Sequence, residues 1–269
     1  MRQAKTLVTV FLSILLTFPS LAGQTSTKAP QSIQRDPQAL NILGQVLDAA
    51  GGLQILSAIQ DFTATGSISY NWGDSPVQGS VSIKGRGLSQ FRIDTTLPDG
   101  VHSWVVTSSI ATEKRPDGSS SPLPLPLKMK PATLTFPLTE LIVAVQDVSW
   151  SISYLGLVTH NGQPAYAISL QKILPANSDP SGFQSSVTRA DFFIDTKTFA
   201  VLSVQDRAYS KNGAAGDSTH EMEFSNYQQV NGVLVPFSIT ERIGGQQTVT
   251  IQLSQVNFSS GLTDSDFAL

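Results

Sequence analysis

The chain has 269 residues, of which 40% are hydrophobic and 14% charged, with a formal net charge of −3. That balance offers no basic surface for nucleic acid. The absence of cysteine removes disulfides, thiolate metal sites, a cysteine nucleophile and an acylated cysteine after the leader, so a hydrophobic core must hold the chain together.

Residues 1–22 have the layout of a secretory signal peptide. Arg2 and Lys5 give a basic start, and residues 6–18 (TLVTVFLSILLTF) an apolar run. Pro19 breaks it, and Ser20-Leu21-Ala22 has the small-x-small pattern of a cleavage site. The run falls short of the roughly 20 residues that span a bilayer. Cleavage takes the charge to about −5, because two basic residues leave and no acid does. The expectation is export to a periplasm, which suits a cysteine-free chain. The product is expected to be soluble, with no membrane span after cleavage.

Residues 23–35 (GQTSTKAPQSIQR) are polar and aperiodic and read as a disordered tether, leaving 36–269 as a single domain. Asp36 followed by Pro37 is a helix start, an N-cap with proline at the first helical position. Leu40, Leu43, Val46 and Leu47 share one face of that helix, and Gly51-Gly52 ends it. Residues 53–59 can add a second short helical turn.

From Phe62 the hydrophobic period becomes two. Val81 and Ile83, Phe91 and Ile93, and Trp104 and Val106 alternate with polar residues, separated by Gly-, Pro- and Asp-rich turns. Residues 116–131 (PDGSSSPLPLPLKMKP) interrupt this. Repeated proline cannot sit inside a sheet ladder, so the stretch reads as an extended loop offering leucines. A helix with proline at its start is expected over 137–146.

Strands resume with Trp150, Ile152 and Tyr154 opposite Ser149, Ser151 and Ser153. Tyr166, Ile168 and Leu170, then Phe192 and Ile194, then Met222 and Phe224 follow. Val233, Val235, Phe237 and Ile239 form an alternating face, with Leu234, Ser238 and Thr240 opposite; Val249, Ile251 and Leu253 close the series. The sum is roughly eleven strands in an antiparallel meander. The expected fold class is mainly β with a few helices (α+β). One large curved sheet forms a half-open barrel, its apolar concave face covered by short helices.

No catalytic or metal motif stands out. His102, His160 and His220 each lack a second ligand at metal spacing and read as solvated strand histidines. No serine sits in a Gly-x-Ser-x-Gly elbow. Asp191, Asp195, Glu221 and Glu223 alternate with apolar residues and read as the outer face of strands. No cofactor is expected. A sheet this wide can instead enclose a greasy cavity, for which Trp104, Trp150, Phe192, Phe224, Phe237 and Ile251 are the candidate lining. Leu123, Leu125 and Leu127 of the proline-rich loop, with Leu141 of the helix beside it, are the candidate lid.

Four segments carry a resemblance in their order: residues 161–168 (NGQPAYAI), 193–198 (FIDTKT), 224–236 (FSNYQQVNGVLVP) and the closing 262–267 (LTDSDF). Together with Gly51-Gly52 before a short helix and strand, they resemble the LolA/LolB-like superfamily of outer-membrane lipoprotein-sorting proteins, as a divergent member. The resemblance implies an eleven-stranded half-open barrel with a helical lid and carriage of acyl chains through the periplasm. The long 116–131 insertion departs from that pattern. The function expected is a non-enzymatic carrier holding a lipid, acyl chain or acylated protein. The first alternative is a protein-binding or envelope-sensing module on the same scaffold, using an envelope protein as partner. The second is a hydrolase with a site that no motif marks.

Overall fold

The computed structural model describes residues 32–71, 73, 75–123, 136–209 and 215–269. These form one antiparallel sheet of thirteen strands in the order β6-β5-β4-β3-β2-β1-β13-β12-β11-β10-β9-β8-β7. The strands are β1 (Asp61–Tyr70), β2 (Val77–Arg86), β3 (Gln90–Leu97), β4 (Gly100–Val106), β5 (Ala111–Lys114), β6 (Ser120–Pro122), β7 (Trp150–His160), β8 (Gln163–Lys172), β9 (Ala190–Asp195), β10 (Val201–Tyr209), β11 (Ala215–Val230), β12 (Val233–Ile243) and β13 (Gln246–Phe258). Four helices accompany them: α1 (Pro37–Ala49), α2 (Leu53–Ala58), α3 (Leu138–Gln146) and α4 (Phe183–Val187). The sheet is not closed, and its two wings join where β1 pairs with β13.

The expected half-open barrel is present, with thirteen strands in place of eleven. The additions at one edge are β5 and β6, too short to show a period. Ser120–Pro122 lies within the stretch read as loop. It joins the sheet because β6 is an edge strand, where a proline without an N–H costs no ladder bond. Pro236 is tolerated inside β12 for a similar reason, since the pairing of β12 with β13 begins only at Ser238.

Local chemistry sets the helices. The Asp36 carboxylate accepts from the backbone N–H of Gln38 and Ala39 at 2.8 and 3.0 Å, and Pro37 occupies the first helical position. Ala39, Ile42, Leu43, Val46 and Leu47 face the core. Gly51 ends the helix with φ +130°, and a Cβ there would collide with the Gly232 carbonyl oxygen. The α1–α2 turn thereby rests on the β11–β12 turn, and Leu234 N–H donates to Ala50 O at 2.9 Å. In β12, Val233, Val235, Phe237 and Ile239 are all buried, while Leu234, Ser238 and Thr240 on the other face are half-buried.

The last residues of the stretch read as a tether are held in place. Gln34 and Asp36 exchange backbone bonds with Ile152 on the β7 edge. The Arg35 guanidinium between them donates to four carbonyls, those of Ala144, Val145, Asp147 and Trp150, at 2.8–3.3 Å. Three of them, Ala144, Val145 and Asp147, are orphan acceptors at the C-terminal end of α3, whose own last turn has no basic residue, and the fourth opens β7. One side chain thus clamps the start of α1, the end of α3 and β7 together. Arg35→Ala is expected to cost roughly 1–3 kcal/mol of unfolding free energy. Arg35→Lys should recover little of it, because an ammonium cannot fork across four carbonyls. Urea denaturation of the three proteins checks this, and an unchanged midpoint in Arg35→Ala would remove the clamp.

Candidate functional site

The concave face changes character along the strands. One continuous row crosses it as Ile152, Leu170 and Ile168 on β7 and β8, Phe192 on β9, Val204 on β10, and Met222 and Phe224 on β11. It continues through Ile239 on β12, Ile251 on β13 and Ile68 on β1, and the far wing adds Ile83, Ile93 and Trp104. At the helical end this surface meets α1 and α3, and Phe136 stands 5.6 Å by ring centroid from both Phe62 and Phe258.

Toward the opposite end the same face turns polar. Asp206 lies beside His220, Val249 beside both Glu241 and Tyr70, Thr95 beside His102 and Trp104 beside Glu113. His220 sits between two carboxylates, with Nδ1 2.7 Å from Asp206 Oδ1 and Nε2 3.2 Å from Glu241 Oε1; Thr248 Oγ1 donates to Glu241 at 2.6 Å. Burial alone pulls the imidazolium down, but the hydrogen bonds and charges of Asp206 and Glu241 outweigh it and raise its pKa to about 9. Burial also pushes the Tyr70 hydroxyl up, aided by the nearby Glu241 and Glu113 charges.

Where the two zones meet, the face holds an open pocket of about 490 Å3. Tyr70, Val77, Leu97 and Trp104 form apolar wall. His102, Glu113 and Arg115 give it a polar rim. The rim is internally bonded: Asp99 reaches His102 at 3.1 Å, and Arg115 donates to Glu113 at 2.7 Å with Ser121 bridging them. Of the predicted lining residues, Trp104 is half-buried on this wall. Trp150, Phe192, Phe224, Phe237 and Ile251 are 0–7% exposed in the core beneath the helices. Leu141 is fully buried on α3, and Leu123 packs against the core with its N–H bonded to Ala111 O. Leu125 and Leu127 lie outside the described residues.

His160 and His220 are not the solvated side chains their strand positions suggested. The β7–β8 hairpin bends over the outer face, where His160 stacks on Phe193 at 3.8 Å. Its Nε2 lies 2.8 Å from both Ser203 Oγ and Glu221 Oε1. This Ser–His–Glu group is no relay. Both partners share one ring nitrogen, and Ser203 is 1% exposed. Period-two reading finds the face of a residue but not what folds over it, so Glu221 is outward and buried together. Among the described residues no group of three His, Cys, Asp or Glu side chains is placed to hold a metal ion.

No family model matches the chain, and no curated protein matches its sequence. Solved structures do match. A LolA superfamily protein from Nitrosomonas europaea superposes with a TM-score of 0.54 at 13% identity, over 83% of this chain and 96% of that one. The fold is that of the LolA superfamily. An outer-membrane lipoprotein-sorting protein domain from Vibrio parahaemolyticus matches at TM-score 0.51 and 15% identity, over 86% of this chain and 96% of that one. A DUF1329 family protein from Desulfovibrio piger matches at 0.50 and 13%, over 87% and 98%. On the concave face of this LolA-type fold, an imidazolium is held between two carboxylates.

That pair of contacts makes stability depend on pH. The folded pKa of His220 lies above its usual 6.5. Its contribution is therefore complete below 6.5 and is lost as pH rises through about 9, on the order of 3 kcal/mol in all. Glu241 is shifted the other way: burial opposes ionisation, but His220 and Thr248 bonding lowers its pKa, so its share is lost only in acid. Urea unfolding free energies should fall between pH 6.5 and 9 in the parent protein and stay flat in His220→Gln. Equal slopes in both would contradict the assignment.

Proposed function

We propose that this chain is a periplasmic binding or carrier protein for a lipidic or acylated amphiphile, bound without covalent chemistry. The observation that carries the reading is the passage of the concave face from apolar rows to a polar belt, with a pocket at the boundary. A tail lying along Trp104, Val77 and Leu97 would leave its polar head beside His102, Glu113 and Arg115. Burial of about 300 Å2 of alkyl surface contributes roughly 7 kcal/mol before the cost of association. Leu123, Leu125, Leu127 and Leu141 are proposed as the lid over such a ligand, and the remaining candidates, Trp150, Phe192, Phe224, Phe237 and Ile251, as the floor. The LolA-type fold supports the reading.

A second reading, a protein-binding module, is favoured by one feature. Beyond its bridge to Arg35, β7 is a sheet edge carrying Leu155 and Leu157, 47% and 63% exposed. An extended partner segment could add there as a strand.

Titration with a fluorescent fatty-acyl probe separates the two. The carrier reading expects saturable binding, weakened at least about tenfold by Trp104→Asp, which places a charge on the apolar wall. Trp104 is half-buried, so the circular dichroism of the variant should match the parent. No saturable binding, or equal affinity in the variant, overturns the pocket as the site.

A further inference from the structure

The concave pocket has a sign of charge as well as an apolar wall, and that sign bears on the head of its ligand. Register places Thr95 beside His102 and Trp104 beside Glu113 on β3, β4 and β5, and the Tyr70 hydroxyl reaches Thr95 from β1. Asp99 and Arg115 complete the polar side of the same space of about 490 Å3. Tyr70 and Trp104 are half-buried, so each presents ring surface to it.

Among the described residues, carboxylates outnumber cations on this part of the face. Arg115 donates through Nη2 to Glu113 and Ser121 at 2.7 and 3.1 Å, and lies within electrostatic reach of Asp117 in the β5–β6 turn. Both bonds to Glu113 end on Oε2, so Oε1 accepts nothing from the described residues. Asp99 meets His102 at 3.1 Å, and its side chain is 66% exposed. Farther along the face, Asp206 and Glu241 share the single His220 imidazolium. Lys114 points to the other side of the sheet, beside Ser103. Even with His102 protonated, the carboxylates keep a surplus. Their charge reaches the pocket wall: burial is the main cause of the raised Tyr70 pKa, the Thr95 bond opposes it, and Glu241 and Glu113 add to it. An anionic head would stand beside like charge there. A cationic head gains from the carboxylates, and one with alkyl substituents, weakly hydrated, also gains from the negative faces of the two rings.

We propose that the head of the bound amphiphile is an alkylated ammonium, seated against the rings of Trp104 and Tyr70 with Glu113 Oε1 as its counter-charge; this rests on the carrier reading and names the head that reading leaves general. Calorimetric titration with dodecyltrimethylammonium, dodecanoate and dodecyl maltoside, each below its critical micelle concentration, holds the tail constant and varies the head. The ammonium should bind at least about tenfold more tightly than the carboxylate, with the neutral maltoside between them, and added salt should narrow the spread. Glu113→Gln keeps the size of the side chain and should lower the ratio of ammonium to maltoside affinity at least about fivefold. Asp99→Asn, at an exposed turn, should lower the same ratio by a smaller factor, which guards against a folding defect in the first variant. Dodecanoate or maltoside binding as tightly as the ammonium, or an unchanged ratio in Glu113→Gln, overturns the ammonium head and leaves the carrier reading standing. Failure of all three amphiphiles to bind overturns both.

Discussion

A curved sheet with one apolar face must cover that face, and among the described residues the cover is smaller than the face. Thirteen strands at about 4.8 Å spacing make an arc of roughly 58 Å. The two principal covering helices, of 13 and 9 residues, are about 20 and 14 Å long. They close over the end where β1 starts and β13 finishes. The Arg35 clamp, the Gly51 contact with the β11–β12 turn and the Phe62–Phe136–Phe258 group all serve to seat them there. The remaining concave face must manage water by its own composition, and its composition changes accordingly. Large aliphatic and aromatic rows give way to Asp206, His220, Glu241, Tyr70 and Thr95.

The two faces handle polar groups differently. On the concave side, the imidazolium of His220 is fixed between carboxylates, a pairing that makes a buried charge tolerable. On the outer side, the β7–β8 hairpin folds over β9–β11 and buries His160, Ser203 and Glu221 as one bonded group, while Asn161 at its tip donates to Glu223. The other wing is covered by the chain's own end. Asp61 accepts the backbone N–H groups of Ser260, Gly261 and Leu262, and Lys84 pairs with Asp266 at 2.8 Å. Arg86 binds both Asp264 and the Leu262 carbonyl. Phe267 is thereby buried outside the main core.

Much of this architecture was legible in the sequence because it is periodic. Asp36-Pro37 marked the first helix, and alternation marked Val233 to Ile239, Trp150 to Tyr154 and Phe192 with Ile194. The order of the hairpin segments pointed to the LolA-type fold. What escaped was nonperiodic or nonlocal. Ala111–Lys114 and Ser120–Pro122 are too short to alternate visibly, and α4 has five residues. Arg35 looked like the end of a polar tether, and its role depends on carbonyls more than a hundred positions away. The histidines looked solvated because alternation reports a face and not what covers it. Trp104 was legible as an inward residue of an alternating strand. That its pocket ends in a polar rim depends on Glu113 and Arg115 of a strand that the period did not reveal.

The central claim is that the uncovered part of the concave face exists to hold an amphiphile. Native mass spectrometry of the protein purified from its own host, followed by organic extraction and lipid analysis, tests it most directly. The account predicts a released adduct with one apolar tail region and a polar head, lost from protein carrying Trp104→Asp. A single ligand-free mass from protein isolated gently from its own compartment, with nothing in the extract above a control protein, would contradict it.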